Sequence, residues 1–407
     1  MKKQKLTPNL LFQFMKKHLS IAWAVVCLLA LSAPTVLAQY QFTTVTEIKV
    51  TPVKNQSRTG TCWCFATTSF FEAELLRMNK GTYDLSEMFI VRNTYMERLD
   101  DNFLRRGKGN LGPGSVSNTY VNTFSKYGVV PESAYSGLIN GAKEHNHGEL
   151  QHFLEAIAKV AVDAKQRSPQ YYQLIKSMFD IYIGPMPEKF TYNGKEYTPK
   201  SFAASLGLNM NDYVEITSFS HIPMYAKGIL EIPDNWQHGA AYNVPLDELM
   251  SIIDNALQKG YTIAWDGDVS ERGFSHVNGV AINPQVTAIE SFEGTDRARF
   301  ENLNTEQRLA EVYKFEKPFP EINVTQEIRQ AGYESFVTTD DHLMHLTGIV
   351  KDQNGTKYYI TKNSWGTERN KFGGYLNMSE SFVRAKTIAI MVHKDAIPTD
   401  IRKKLGL

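Results

Sequence analysis

The spacing of apolar and polar residues divides the chain into two unlike halves. From Cys62 to about Asn79 apolar side chains recur every three or four residues, which predicts an amphipathic helix that ends at Lys80 and Gly81. Two more helices are predicted at "LSEMFIVRNTYMERLDDNFLRR" and "VSNTYVNTFSKYG", and further helical patterns lie between residues 150 and 215. The first half is therefore expected to be mainly helical.

The second half alternates in the manner of strands. A helical pattern at "LDELMSIIDNALQKG" leads into the predicted strands "YTIAWDGDV" and "HVNGVAINP", and a polar helical stretch spans 304–332. In "HLTGIVKDQNGTKYYITKNSWG" the pair Asn354-Gly355 is the strongest hairpin signal of the chain. The pattern indicates an α+β fold with a β-rich C-terminal half.

The N-terminus has the charge pattern of an export signal. Residues 1–38 contain five lysines and no acidic residue, and end in the apolar run "IAWAVVCLLAL" followed by "APTVLA". This predicts a signal peptide over 1–38 and a mature domain over 39–407, because the run is short for a membrane anchor. We expect a bacterial protein in the periplasm or outside the cell, with no membrane attachment after cleavage.

The charge balance adds little to the choice of partner. Removing the five lysines changes the formal net charge from +1 to −4. A weakly acidic chain of this kind indicates neither nucleic acid nor an anionic membrane surface as a partner.

Two cysteines in "RTGTCWCFAT" are the first candidates for chemistry. Cys62 and Cys64 are one residue apart, whereas zinc and redox pairs usually have two residues between them and a zinc site needs further ligands. Cys64 fits the apolar interior of a helix. Cys62 lies where the helix begins, and free N–H groups and the helix dipole there favour a thiolate nucleophile.

A cysteine nucleophile needs a histidine whose ring is held by an amide or a carboxylate. The candidates are His342, His345 and Asn363, all in or near the predicted hairpin. A simple hairpin register places His345 nearly opposite Asn363, although a bulge would shift that register. Two residues three apart on a strand point to opposite faces, so only one of the two histidines is expected at the site.

Three separated motifs resemble the papain-like cysteine peptidases. "NQSRTGTCWCFAT" is similar to their cysteine segment, "DHLMHLTGIV" to their histidine segment and "YYITKNSWG" to their asparagine segment. The gaps of 280 residues from Cys62 to His342 and 301 to Asn363 exceed the roughly 130 to 150 of papain. The longer middle resembles the bleomycin hydrolase and aminopeptidase C branch, which implies a papain-like fold with a helical insertion at about 138–235.

The resemblance implies roles for individual residues. Cys62 is expected to be the nucleophile and His342 the base, because two apolar residues and a glycine at position 348 follow His342 as in the family. Asn363 is expected to orient the imidazole and Gln56 to hold the oxyanion. The resemblance also assigns substrate-binding positions to Gly114 and to Trp365, which would shield the imidazole, although Ser115 stands where the family has a second glycine.

The same resemblance leads to expectations about activity and assembly. It implies peptide substrates, no cofactor, no metal and a homo-hexamer. In the family a C-terminal tail binds the free amine of the substrate. This chain ends a few residues after the match, so we expect weaker aminopeptidase selectivity. Endopeptidase or dipeptide-releasing activity is the alternative. An inactive peptide-binding homologue and an acyl transferase are lesser alternatives, and His145, His147 and His152 in "EHNHGELQH" are a rival metal site.

Overall fold

The computed structural model describes residues 40–292 and 294–407. The helical half is built as the apolar spacing predicts, with each of the first three predicted helices present to within a few residues of its expected ends. The helices are α1 (Cys62–Arg77), α2 (Glu87–Leu104), α3 (Ser117–Tyr127), α4 (Gly148–Ala164), α5 (Pro169–Ile183), α6 (Pro199–Leu206), α7 (Leu246–Gln258), α8 (Gly294–Phe300), α9 (Thr305–Val312), α10 (Gln326–Glu334), α11 (Glu380–Lys386) and α12 (Thr399–Leu405).

The strands are mostly in the second half. They are β1 (Thr43–Glu47), β2 (Phe190–Tyr192), β3 (Lys195–Tyr197), β4 (Tyr213–Thr217), β5 (Lys227–Ile229), β6 (Ala240–Asn243), β7 (Ile263–Gly267), β8 (Phe274–Ser275), β9 (Val280–Ala281), β10 (His342–Lys351), β11 (Lys357–Lys362), β12 (Tyr375–Ser379) and β13 (Thr387–His393).

One mixed sheet carries the C-terminal half. Among the described residues it holds eleven strands in the order β5-β6-β4-β13-β7-β10-β11-β12-β9-β8, with β1 paired to β10. Most neighbours are antiparallel, whereas β4–β6 and β9–β12 run parallel. Strand β10 is buried along nearly its whole length because β7, β11 and β1 pair with it and α1 packs on it.

Helix α1 lies between the two halves, against α2 and α3 on one side and β7 and β10 on the other. It is buried around most of its circumference, so it needs internal partners for its polar residues. Ser69 binds the Nδ1 atom of His345 at 2.8 Å and accepts a hydrogen bond from the Lys362 Nζ atom at 2.7 Å. These contacts fasten the helix to β10 and β11.

Two main apolar cores stabilise the fold. The first fills the helical half around Phe70, Phe71 and Phe179, and the second lies between the sheet and α7, α11 and α12. Helix α7 shows the amphipathic pattern clearly, since Leu249 and Ile253 are fully buried on its sheet-facing side. Burying such aliphatic side chains contributes about 1.5 to 3 kcal/mol each relative to exposure.

The predicted insertion, about 138–235, is less uniformly helical than expected. It contains α4, α5 and α6, but also the β2–β3 hairpin and the strands β4 and β5. In the hairpin the aromatic side chains of Phe190, Tyr192 and Tyr197 pack around Phe202 of α6. Aromatic residues at alternate positions favour a strand, which is why this short segment departs from the helical pattern on either side.

The β10–β11 hairpin forms at the predicted turn, where Gly355 has a φ of +83°. His345 pairs with Lys362, and the register shifts between Leu346 and Gly348. This bulge is the feature that moves the start of β10 relative to Asn363.

Candidate active site

Cys62 is the first residue of α1, at the boundary between the two halves. The carbonyl of Thr61 accepts the N–H groups of Cys64 at 2.9 Å and Phe65 at 3.2 Å, so the first turn is closed without using the N–H of Cys62. A Cβ on Gly60 would lie 2.5 Å from the Pro113 side chain, so a glycine is needed there for the two loops to meet.

The thiol of Cys62 is largely buried, with 9% of the residue exposed. Burial raises its pKa to about 12, opposed by the backbone N–H groups of Leu343 and Trp63. Leu343 follows His342 directly, so its contact places the start of β10 against the thiol. Cys64 faces the interior, where its Sγ atom lies 3.3 Å from the Glu87 carbonyl oxygen, and the structure pairs neither cysteine in a disulfide.

His342 is held by Asn363. The Nε2 atom of His342 lies 2.8 Å from the Asn363 Oδ1 atom, and the backbone N–H of Ser364 donates to the same oxygen at 2.7 Å. The ring of Trp365 covers the imidazole with centroids 4.8 Å apart. Burial lowers the pKa of His342 to about 4, partly offset by the Asn363 hydrogen bond.

His345 lies away from this cluster. Its ring is fully buried and contacts Ser69, and burial holds its pKa well below the usual value. The simple hairpin register that placed His345 opposite Asn363 does not apply, because the bulge in β10 displaces it.

Gln56 is tied to the asparagine segment. Its backbone N–H donates to the Ser364 carbonyl at 2.8 Å, its Oε1 atom accepts the Ser364 hydroxyl at 2.6 Å, and its Nε2 atom donates to the Thr59 carbonyl at 2.8 Å. An amide nitrogen carries two protons, so one remains for another acceptor. The Gln56 side chain is thus held in place against the segment that leads to Cys62.

Side chains of α1 and α2 hold the glycine-rich loop, residues 107–115, in place. Trp63 donates its indole N–H to the Pro113 carbonyl at 3.1 Å, and Arg98 donates to the carbonyls of Gly112 and Gly114. Ser115, which replaces a family glycine, accepts the Trp236 indole N–H at 3.0 Å. The serine therefore has a structural role in fixing the loop.

Sequence reasoning missed His276. Its Nδ1 atom lies 3.4 Å from the Asn363 amide nitrogen, and its ring packs edge-on against Trp365 at 5.1 Å. Burial lowers its pKa, so the neutral ring accepts from Asn363 while His342 uses the other end of that amide. The segment "GFSHVNG" does not predict this role, because His276 is placed next to Asn363 by the pairing of β8 and β9 within the sheet.

The three histidines of the rival metal site lie in three different environments. His147 is buried against Tyr95, His145 is half-buried with its ring 6.1 Å from that of His147, and His152 is exposed. In residues 40–292 and 294–407, no group of three or more histidine, cysteine or acidic side chains has an arrangement suited to a metal ion.

A thiol at a helix N-terminus beside an amide-held imidazole, on this fold, defines a cysteine peptidase of the papain type. Sequence profiles of two families agree: residues 39–178 match the papain family cysteine protease and residues 291–406 match the Peptidase C1-like family. The chain is a cysteine peptidase of papain type that is similar to the bleomycin hydrolase and aminopeptidase C branch, and its substrates are accordingly peptides.

Relatives match over most of the chain at low identity. Aminopeptidase C of Lactococcus lactis subsp. lactis (strain IL1403) is 24% identical over 85% of this chain and 81% of its own length. Aminopeptidase C of Lactobacillus helveticus is 21% identical over 88% and 82%. The crystal structure of PepW from Lactobacillus rhamnosis HN001 superposes with a TM-score of 0.67 at 16% identity, covering 99% of this chain and 95% of that one.

The expected location is wrong. Cysteine proteinase 1, mitochondrial, of Saccharomyces cerevisiae (strain JAY291) is 21% identical over 89% of this chain, and mitochondria lie inside the cell. The comparison therefore contradicts export to the periplasm or the outside. That expectation used only charge and hydropathy over 1–38, which lies outside the described residues, and other targeting segments are also basic and poor in acidic residues. In the part of the chain that is described, none of the helices has the length and apolar character needed to cross a membrane.

Proposed function

We propose that the protein is an aminopeptidase in which Cys62 attacks the peptide carbonyl and His342 moves the proton. The observation that carries this proposal is the cluster in which Asn363 and Trp365 hold the His342 imidazole next to the residue that contacts the Cys62 thiol. The names of the relatives, aminopeptidase C, support the removal of N-terminal residues as the form of the activity.

Burial determines how the nucleophile is activated. It opposes an isolated charge on either Cys62 or His342, because it raises the pKa of the first and lowers that of the second. A thiolate therefore forms only together with an imidazolium, by transfer of the thiol proton to His342, so that each charge faces the other. Asn363 fixes the ring for this transfer.

The attack forms a bond between the Cys62 sulfur and the substrate carbonyl carbon and gives an oxyanion. The backbone N–H of Cys62 and the second amide proton of Gln56 are the donors proposed for it. His342 then passes its proton to the leaving amine as the C–N bond breaks. In the second half a water molecule loses a proton to His342 and attacks the thioester, which releases the acid and returns the proton to the sulfur.

The substrate-binding roles of Gly114 and Trp365 complete the proposal. Gly114 lies at the end of the anchored glycine-rich loop, where its half-buried backbone would align an extended peptide, and Trp365 covers the Asn363–His342 contact from water.

The two neighbouring cysteines provide the test. The Cys62→Ser variant should lose at least a thousandfold in peptidase activity and fail to react with a peptidyl epoxide, as judged by intact mass. The Cys64→Ser variant is the matched control, because a serine hydroxyl can keep the hydrogen bond to the Glu87 carbonyl. Full activity in Cys62→Ser, or no labelling of the unaltered protein, would refute the proposal.

A second measurement concerns the form of the activity. One fluorogenic peptide is compared with a free and an acetylated N-terminus, and an aminopeptidase should lose most of its rate on acetylation. Equal rates would favour the endopeptidase alternative. The homo-hexamer stays a prediction, and light scattering of the purified protein measures it directly.

A further inference from the structure

Acidic side chains gather beside Cys62. Asp266 lies in β7 directly opposite Leu343, the residue whose backbone N–H points to the thiol. Asp340 comes two residues before His342, and its carboxyl group faces that of Asp266 within hydrogen-bonding range. Asp266 and Asp340 are called the acidic pair below.

Among the residues that the structure describes, the acidic pair has no positive partner. Asp266 is only 4% exposed, yet within the described chain no N–H or O–H group of another residue donates to its two carboxylate oxygens or to one oxygen of Asp340, so only a proton shared within the pair can join them. The groups that act electrostatically on Asp266 are Asp340, Glu215 and Cys62, all of them acidic. Glu215 differs because its carboxylate accepts the backbone and side-chain N–H groups of Asn118 at 2.8 and 2.6 Å.

A third carboxylate lies near the acidic pair and Cys62. Asp234, on the loop between β5 and β6, packs so closely on Gly114 that a Cβ there would collide with it. Its charge acts on both Asp340 and Cys62. The Arg98 guanidinium donates to carbonyls of the glycine-rich loop, and its positive charge acts on Asp234. Asp234 is thus partly balanced by Arg98, whereas the acidic pair is not.

Unpartnered buried carboxylates cost several kcal/mol unless a cation or a proton meets them. The acyl part of a substrate must lie next to Cys62, because the thiol attacks the carbonyl that ends it. A cationic group of the substrate would donate hydrogen bonds to the free oxygens and offset the repulsion within the pair.

We propose that the acidic pair, with Asp234 at its edge, binds a cationic group on the acyl part of the substrate and so selects which peptides are cleaved. This inference rests on the proposed function. The free α-ammonium of the N-terminal residue supplies such a cation, and the side chain of lysine or arginine presents the same chemistry. Either source would be read by the same carboxylates.

Three coumarin amides distinguish the α-ammonium from the side-chain cation. In each of them the whole amino acid lies on the acyl side of the cleaved bond and only the fluorophore leaves. Norleucine-aminomethylcoumarin carries an α-ammonium, Nα-acetyl-lysine-aminomethylcoumarin carries a side-chain ammonium, and Nα-acetyl-norleucine-aminomethylcoumarin carries neither. Each is assayed with the full-length protein and with Asp266→Asn and Asp340→Asn. Asp163→Asn, an exposed residue of α4 paired with Lys159, is the matched control.

The unaltered protein should prefer a cationic substrate over the neutral one by at least tenfold in kcat/KM. Asp266→Asn and Asp340→Asn should each reduce that ratio at least fivefold, and Asp163→Asn should leave it unchanged. A preference for the norleucine substrate identifies the α-ammonium as the source, and a preference for the acetyl-lysine substrate identifies the side chain; both support the subsite.

Three results overturn the inference in different ways. A ratio that both asparagine variants retain removes the cationic subsite and leaves the proposed aminopeptidase intact. A ratio near one for both cationic substrates removes the subsite and the preference for a free N-terminus, while hydrolysis and epoxide labelling of Cys62 still support the cysteine peptidase. No hydrolysis of any substrate together with no labelling removes the proposed function and the subsite with it. Should Asp266→Asn fail to fold, as judged by circular dichroism, the partly buried Asp340→Asn gives the same ratio.

Discussion

The His342 Nε2 atom and the Asn363 Oδ1 atom are 2.8 Å apart, and the Ser364 N–H binds the same oxygen. The asparagine oxygen is therefore fixed before the imidazole meets it. Removing it in Asn363→Ala should lower kcat/KM about 10- to 100-fold, since a hydrogen bond to a group that becomes charged is worth about 1.5 to 3 kcal/mol. Steady-state kinetics measure the loss. Asn363→Asp keeps the acceptor oxygen and should lose less, whereas an alanine variant within twofold of the unaltered enzyme would contradict the role.

The two histidines of β10 should differ in their effect on the thiol. Without the His342 imidazole the thiolate loses its counter-charge, and burial leaves the thiol pKa raised to about 12. His342→Gln should therefore slow alkylation of Cys62 by iodoacetamide at pH 7 by at least tenfold. His345→Gln is the control, since its ring contacts Ser69 and not the thiol; it should react at the normal rate with a lower melting temperature. Equal alkylation in both variants would exclude His342 as the proton acceptor.

Gln56 is expected to contribute to the transition state and not to substrate affinity. Losing one oxyanion donor costs roughly 100- to 1000-fold in kcat, so Gln56→Ala should show that loss with KM nearly unchanged. Ser364→Ala removes the hydroxyl that holds the Gln56 Oε1 atom and should produce a smaller loss of the same kind. A rise in KM with normal kcat in Gln56→Ala would instead assign the residue to ground-state binding.

The acidic pair predicts a pH dependence of stability. Burial raises the pKa of Asp340 to about 7 and that of Asp266 well above its usual value; Glu215 of β4, with its pKa raised to about 7, faces the pair, as do Asp234 and Cys62. The native state therefore binds these protons more tightly than the unfolded chain, and the associated stability is present below about pH 4 and lost as pH rises towards 7.

Asp266→Asn removes this effect from one member of the pair. The variant should gain on the order of 1 to 3 kcal/mol over the unaltered protein at pH 7 and much less at pH 4. Denaturant unfolding at several pH values between 4 and 8 measures the difference, with Asp163→Asn as a control that shows no trend. A gain that is constant with pH, or largest at pH 4, would contradict the raised pKa values.

Local features of the sequence were sufficient for the first three helices, for α7 and for the choice of candidate catalytic residues, whereas the helical stretch predicted over 304–332 is divided into α9 and α10. Apolar spacing marked α1, a glycine-containing turn marked the β10–β11 hairpin, and short motifs marked Cys62, His342 and Asn363. Each of these signals lies within a few neighbouring residues, so the chain alone displays it.

Other parts of the site depend on which strands become neighbours. Asp266 and Asp340 meet only because β7 pairs with β10 in one register, and His276 reaches Asn363 only through the pairing of β9 with β12. A shift of one residue in strand register moves every side chain of that strand to the other face of the sheet. No local sequence pattern fixes the register between strands that are so far apart in the chain. The β2–β3 hairpin was missed for a simpler reason, since it is three residues a side within helical surroundings.

The position of α1 between the halves has a consequence for how activity can be lost. Cys62 begins α1 in the helical half, whereas His342 begins β10 and Asn363 directly follows β11, and the Ser69 contacts with His345 and Lys362 fasten α1 to the sheet. Any partial opening that separates the helical half from the sheet, called the two bodies here, moves the nucleophile away from its base. The rate of peptide hydrolysis therefore reports whether the two bodies are in contact. On heating, this rate should fall before the secondary structure of either body is lost.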